Sequence, residues 1–182
     1  METKNSSKQY RNVANKIIDL FKQENKPISH KKLQKLVYLV YAFYYYLNDK
    51  KLFDEKFEAW PHGPVCRELY FDIKKESGNN YNAFNISNIK LKVDNENIED
   101  EDQINDTCEY VKKYFGDWSA NLLEYLTHKS GSAWSKVINK DNDDIEEPYL
   151  DYKDIITDIK NIVDEYSVSK KVDKTPSDDC RL

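Results

Sequence analysis

Glycine (4) and proline (5) are scarce among the 182 residues, which argues against a turn-rich, all-β design. Cysteine is scarcer still: Cys66, Cys108 and Cys180 form an odd set with no CxxC spacing. That pattern speaks against a disulfide framework and against a zinc knuckle, and favours reduced thiols. No apolar run approaches the roughly 20 residues a transmembrane helix requires. The first twelve residues lack the apolar centre of a signal peptide. The expectation is a cytoplasmic, soluble protein with no membrane partner. Enzyme signatures are missing as well: there is no GxxxxGKS/T, no GxGxxG and no GxSxG. His30, His62 and His128 are the only imidazoles, and none lies in an HExxH or at helical i, i+4 spacing. A tertiary metal site joining His62, Cys66, His128 and Cys108 is conceivable, but such scattered soft residues are more often core or surface residues. The sequence therefore predicts no catalytic centre, no metal and no cofactor.

What the chain does have is charge (34%) and tyrosine (14). The charge is uneven. Residues 1–51 hold eleven Lys/Arg against four acids, a surplus of seven, so the remainder carries −12 to reach the net −5. Such asymmetry implies two faces with different partners, internal complementarity, or simply a solvated helix face.

A chain of this length fits one domain that can bury a core without staples. Residues 1–166 are read as that domain, and 167–182 have the composition of a disordered tail. Val13, Ile17, Leu20 and Phe21 give Tyr10–Asn25 a helical apolar stripe, ended by Pro27. Ser29 is placed to cap the next helix, His30–Leu47. From Leu36 to Tyr46 that helix is apolar or aromatic almost all round, the mark of a central helix. Phe57–Trp60 reads as a short strand, and Pro61-His62-Gly63-Pro64 as a turn. Pro64 suits the first position of a further helix, striped by Val65, Leu69 and Ile73 and stopped by Gly78. One or two short strands are expected among Phe84, Ile86, Ile89, Leu91 and Val93. Acids before Glu109 suit the start of a helix running to Phe115 and ended by Gly116. Ser119 caps a helix with Leu122, Leu123 and Leu126 inward, and Ser132-Ala133-Trp134 begins a short one. Asn139–Glu147 reads as a polar loop, and the isoleucines 155, 156, 159 and 162 mark a last helix. The fold class expected is mainly α (α+β): a compact helical domain around the Tyr-rich helix, with a small antiparallel β element.

Asp54, Glu55 and Glu58 near His62 could suggest acid–base chemistry, but a charged hairpin edge that resists strand pairing accounts for them more simply. The basic N-terminal helices with their tyrosines could contact phosphates. Against that, the tyrosines fall on the core helix, the chain is acidic, and no helix-turn-helix or zinc finger is legible.

Two segments carry a family resemblance. The first contains Lys32, Leu33, Gln34, Lys35, Leu36 and Tyr38, then Leu52-Phe53, Glu58-Ala59-Trp60, Gly63-Pro64-Val65 and Leu69-Tyr70, with His62 before the glycine. The second contains Leu126, Thr127, His128 and Trp134, preceded by Ser119-Ala120 and Leu123. Together they resemble the Panacea-domain (SocA-like) antitoxins, often labelled phage-associated proteins, over about Val13–Trp134. The chain departs from the family pattern in having Pro61-His62 before the Gly-Pro pair and Ala133 before the late tryptophan.

The resemblance implies a non-enzymatic antitoxin whose partner is a cognate toxin encoded by the adjacent gene. A cytosolic protease is a second possible partner, if the protein acts as an adaptor that delivers the toxin for degradation. A third reading is a nucleic-acid-binding regulator. The resemblance makes Lys32, Gln34, Lys35, Tyr38, Glu58, Trp60, His62, Gly63, Pro64, Val65, Tyr70, Thr127, His128 and Trp134 the candidate site, with Trp60, Trp118 and Trp134 as binding anchors unless they are core residues.

Overall fold

The computed structural model describes residues 8–93, 100–139 and 148–169. Among them the chain is mainly α with one small antiparallel sheet. Helix α1 (Gln9–Gln23) buries Val13, Ala14, Ile17, Ile18 and Phe21, the stripe its sequence announces. Helix α2 (His30–Asn48) starts where the Ser29 hydroxyl accepts the Lys32 amide at 3.2 Å. Every residue of α2 from Leu33 to Tyr44 is buried. It packs against α1 and against α4 (Glu101–Phe115), α5 (Ala120–Thr127) and α7 (Tyr152–Ser169). A helix surrounded on all sides can dispense with a polar face, and its tyrosines send their hydroxyls to acids at the periphery. Tyr38 donates to Asp158 (3.2 Å) and Tyr44 to Asp100 (3.2 Å). Helix α6 (Ala133–Ile138) is capped by the Ser132 hydroxyl and rests on α7.

The sheet pairs β1 (Phe57–Trp60) with β2 (Gly63–Cys66) around a Pro61-His62 turn. This corrects the expected helix start at Pro64: helix α3 spans Arg67–Ser77, and Pro64 lies within β2 opposite Ala59. The missing proline N–H suits a two-stranded edge as well as a helix start, so sequence alone does not separate them. The free edge of β1 is also covered. Ala59 N–H donates to Pro148 O (2.7 Å) and Leu150 N–H to Phe57 O (2.9 Å).

The strands expected over residues 84–93 do not form. That stretch is an irregular strap whose bonds go to α1 and to the α1–α2 junction. Ile86 N–H donates to Ile28 O (2.9 Å), and the amide of buried Asn15 bonds both Leu91 N–H and Leu91 O (2.9 Å each). Asn15→Leu leaves both Leu91 groups without that partner. It is expected to lower stability by about 2–3 kcal/mol in urea unfolding. An unchanged midpoint would show that the strap is not held there.

Leu122, expected inward, is exposed, while Leu123 and Leu126 face the core. The expected tail from 167 overlaps α7, which continues to Ser169; its remainder, and residues 140–147 of the expected polar loop, lie outside the described residues. No helix of the described residues is long and apolar enough to cross a membrane.

The charge asymmetry resolves as internal pairing. Arg11 meets Asp72 (2.6 Å), Lys16 meets Glu109 (3.0 Å), Lys26 meets Asp117 (2.8 Å) and Lys50 meets Asp100 (2.8 Å), while Lys31 meets Glu124. Exposed pairs of this kind each contribute under about 1 kcal/mol, but they neutralise the N-terminal surplus where it sits.

Candidate functional site

The hairpin is fixed to α2 by two of the candidate residues. Gln34 grips Cys66 with both ends of its amide, accepting from Cys66 N–H (3.0 Å) and donating to Cys66 O (3.3 Å). Lys35, 1% exposed, donates to Pro64 O (2.8 Å). Gly63 turns the chain at φ +95°, packed so closely that a Cβ there would lie 2.8 Å from Thr127 Oγ1 and 2.9 Å from Lys35 Cε. Thr127 in turn donates to Glu124 O (2.8 Å) and accepts, at its carbonyl, the Ser132 hydroxyl (2.8 Å).

The second segment reaches the first directly. Trp134 Nε1 donates to Trp60 O (2.7 Å), and the His128 ring stacks on Trp134 at 3.6 Å between centroids. The fold thus joins segments some 70 residues apart in sequence. Glu58 accepts from Trp60 Nε1 (2.7 Å), so its carboxylate orients an indole rather than facing His62. His62 instead lies 3.1 Å from Glu124, which also pairs with Lys31.

Beside this junction opens a cleft of about 650 Å³. Its walls are the first turns of α2, the hairpin, Tyr70 of α3, residues 81–84 and the start of α5. The lining is largely aromatic: Trp60 packs on Tyr70 at 4.9 Å, and Tyr70 stacks on His30 at 4.8 Å. Phe84 is 86% exposed. Two buried basic groups line the cleft. Burial depresses the Lys35 ammonium to about 7, with Lys31 adding repulsion and Glu124 opposing it. Burial, with Lys74 nearby, holds His30 at about 4, hence neutral at physiological pH. His30 Nδ1 lies 2.7 Å from the Tyr81 hydroxyl, but its buried Nε2 has no hydrogen-bond partner. Burial works to raise the Glu124 carboxyl, yet the bonds from Lys31 and His62 outweigh it and leave the group below its ordinary value.

Of the candidate residues, Gln34, Lys35, Trp60, His62, Val65 and Tyr70 line the cleft, while Gly63, Pro64 and Thr127 support it from behind. Glu58, His128 and Trp134 brace Trp60. Two stand elsewhere. Lys32 lies over Phe21 (4.9 Å), and Tyr38 is buried edge-on to Phe57 (5.1 Å) with its hydroxyl on Asp158. Of the three tryptophans proposed as anchors, only Trp60 lines the cleft; Trp118 packs on Phe115 (5.3 Å) and Trp134 under His128. His30, Lys31, Tyr81, Phe84 and Glu124 belong to the site but carry no signal that sequence reading could weigh. The exception is Phe84, an aromatic in a polar stretch.

Among the described residues no group of three or more His, Cys, Asp or Glu is placed to hold a metal. Cys66 and Cys108 are buried free thiols whose pKa burial raises, the reverse of an activated nucleophile.

One comparison bears on these features. The family model described as the SocA-like antitoxin Panacea domain matches residues 33–135, a span that contains the hairpin, α5 and Trp134. No curated protein and no solved structure matches the chain.

Proposed function

The chain belongs to the SocA-like, Panacea-domain antitoxin family, and on that footing we propose that it neutralises a cognate toxin by direct protein–protein binding through the cleft face. The observation that carries the reading is the cleft itself. Both family segments converge on it, and it presents exposed aromatic surface: Phe84 at 86% exposure, beside half-buried Trp60 and Tyr70. Contiguous exposed apolar groups around a concave seat are what a partner's anchor residues need. Masking a toxin requires complementary surface and no chemistry, in keeping with a site whose thiols are buried and whose one well-placed carboxylate is paired. The toxin expected is the product of the adjacent gene. The nucleic-acid reading is weakened, because five of the eleven N-terminal cations (Arg11, Lys16, Lys26, Lys31 and Lys50) already face acids of this chain.

The test is co-expression of the neighbouring reading frame with this protein, followed by co-purification. Toxicity relieved together with a stable complex supports masking. Phe84→Ala, at a side chain almost free of the core, is expected to weaken that complex by about 2 kcal/mol, roughly thirtyfold in Kd. Rescue that vanishes in a protease-deficient host would instead assign an adaptor that delivers the toxin for degradation. A neighbour that is harmless when expressed alone would remove the reading.

A further inference from the structure

We infer that the cleft seats an acidic-aromatic segment of the partner polypeptide: a bulky apolar side chain between Trp60, Tyr70 and Phe84, with an adjacent carboxylate turned toward α2 and the hairpin turn. This rests on the antitoxin reading and specifies what the toxin presents to it. The charge around the cleft is lopsided. Lys31 and His62 stand at its mouth and share a single carboxylate, Glu124. Lys35 lies in its floor, and Lys74 stands over the Tyr70 and Tyr81 rings at 5.0 and 5.2 Å. Glu58, behind the Trp60 indole, already faces Arg67 (4.0 Å), so Lys31, Lys74 and a Lys35 that is half-protonated near pH 7 surround one further acid, Glu124, and an incoming carboxylate supplies another anion. In a cleft walled by rings, that attraction is little screened.

His30 is the independent sign that a polar partner is missing. It is 3% exposed and lines the cleft, yet its Nε2 bonds to nothing. Buried polar atoms are rarely left so, and such an atom in a ligand cleft marks a place for a ligand's polar group. When the Tyr81 hydroxyl donates to Nδ1, the ring proton sits on Nε2, which a small turn of the exposed Phe84 or of the ring itself must uncover before it donates to a carboxylate or peptide carbonyl. The volume suits the reading as well. About 650 Å³ holds an aromatic side chain together with its neighbour, within the range of well-formed ligand sites.

The experiment uses the full chain and two labelled peptides, acetyl-Asp-Trp-Phe-Glu-amide and its uncharged form acetyl-Asn-Trp-Phe-Gln-amide, read by fluorescence anisotropy. The acidic peptide is expected to bind at least tenfold more tightly. Ala83→Trp, at an exposed residue of the cleft wall, is expected to reduce that binding at least tenfold while leaving the circular dichroism spectrum and Tm unchanged. Equal binding of the two peptides, or full binding by Ala83→Trp, overturns the inference. Binding of neither peptide by a wild-type protein that still rescues toxin-expressing cells also overturns it, and leaves the antitoxin reading standing. A wild-type protein that prefers the acidic peptide but rescues nothing keeps the cleft chemistry and removes the toxin as its owner.

Discussion

Gly63→Ala is expected to destabilise the protein strongly. Two effects add at this position. The backbone φ of +95° is open to glycine and strained for any L side chain. The new methyl would also lie 2.8 Å from Thr127 Oγ1 and 2.9 Å from Lys35 Cε. Neither neighbour can easily retreat: Lys35 is tied to Pro64 O, and Thr127 to Glu124 O. Strain alone costs about 1–3 kcal/mol, and the displaced contacts bring the total to roughly 3 kcal/mol or more. For a chain of this length that is a fall in Tm of about 6–12 °C. Gly78→Ala is the control. Its φ is +51° with ψ −134°, and a Cβ there meets nothing within 4 Å, so it should lose only the strain, about 1–3 kcal/mol. Thermal scans of the two variants separate the contact from the dihedral, and equal losses would show that the packing against Lys35 and Thr127 is unimportant.

The second large effect is a rise in stability above neutral pH that depends on Lys35. Its folded pKa is depressed from 10.5 to about 7, chiefly by burial. Above pH 7 the folded chain therefore sheds this proton while the unfolded chain keeps it. The unfolded state then binds more protons, and stability increases with pH. The slope approaches 1.4 kcal/mol per pH unit, or about 2 kcal/mol between pH 7 and 8.5. Lys32, also lowered by burial, pulls in the same direction, so the comparison with the variant and not the wild-type slope isolates Lys35. Asp158, raised by burial to about 6, has largely finished titrating below that window, and His30, held by burial at about 4, adds only a few tenths of a kcal/mol of the same sign as its unfolded imidazole, near 6.5, loses its last proton. Cys66 and Cys108, both raised by burial, oppose the trend as their unfolded thiols ionise, from about pH 7.5 upward, so the wild-type rise is smaller than that of Lys35 alone. Urea unfolding of wild type and Lys35→Met at the two pH values provides the measurement. The variant should lose the rise, and a rise that survives it would place the responsible proton elsewhere.

Much of the fold is legible because single residues dictate it locally. Ser29 and Ser119 each accept the amide three residues on, and the apolar circumference of α2 foretells its central place. What sequence misreads has a common cause, which is that the partner is distant. Ile86 and Leu91 are buried and look like strand residues, yet they plug separate sites under a strap held by Ile28 and Asn15. Pro64 satisfies the rules for a helix start, and pairing with β1, anchored by Gln34 and Lys35 from α2, makes its segment a strand. The cleft was half legible for the same reason. Its hairpin side belongs to a recognisable segment, whereas His30, Tyr81 and Phe84 reach it from chain whose spacing says nothing of a site. The uneven charge suggested an external partner as readily as an internal one, and the structure places the answering acids within the molecule.

The encasement of α2 also sets the order of events at the ribosome. This helix emerges early, but the segments that cover it are translated much later: Tyr38 finds Asp158 120 residues downstream. At typical elongation speeds of 5–20 residues per second, the interval is on the order of ten seconds. Throughout it α2 has no complete cover: α1 comes first, α4 and α5 follow, and only α7 completes the casing. A message broken before α7 yields a product that cannot close its core and is open to degradation. A closed core therefore exists only after α7 has been translated.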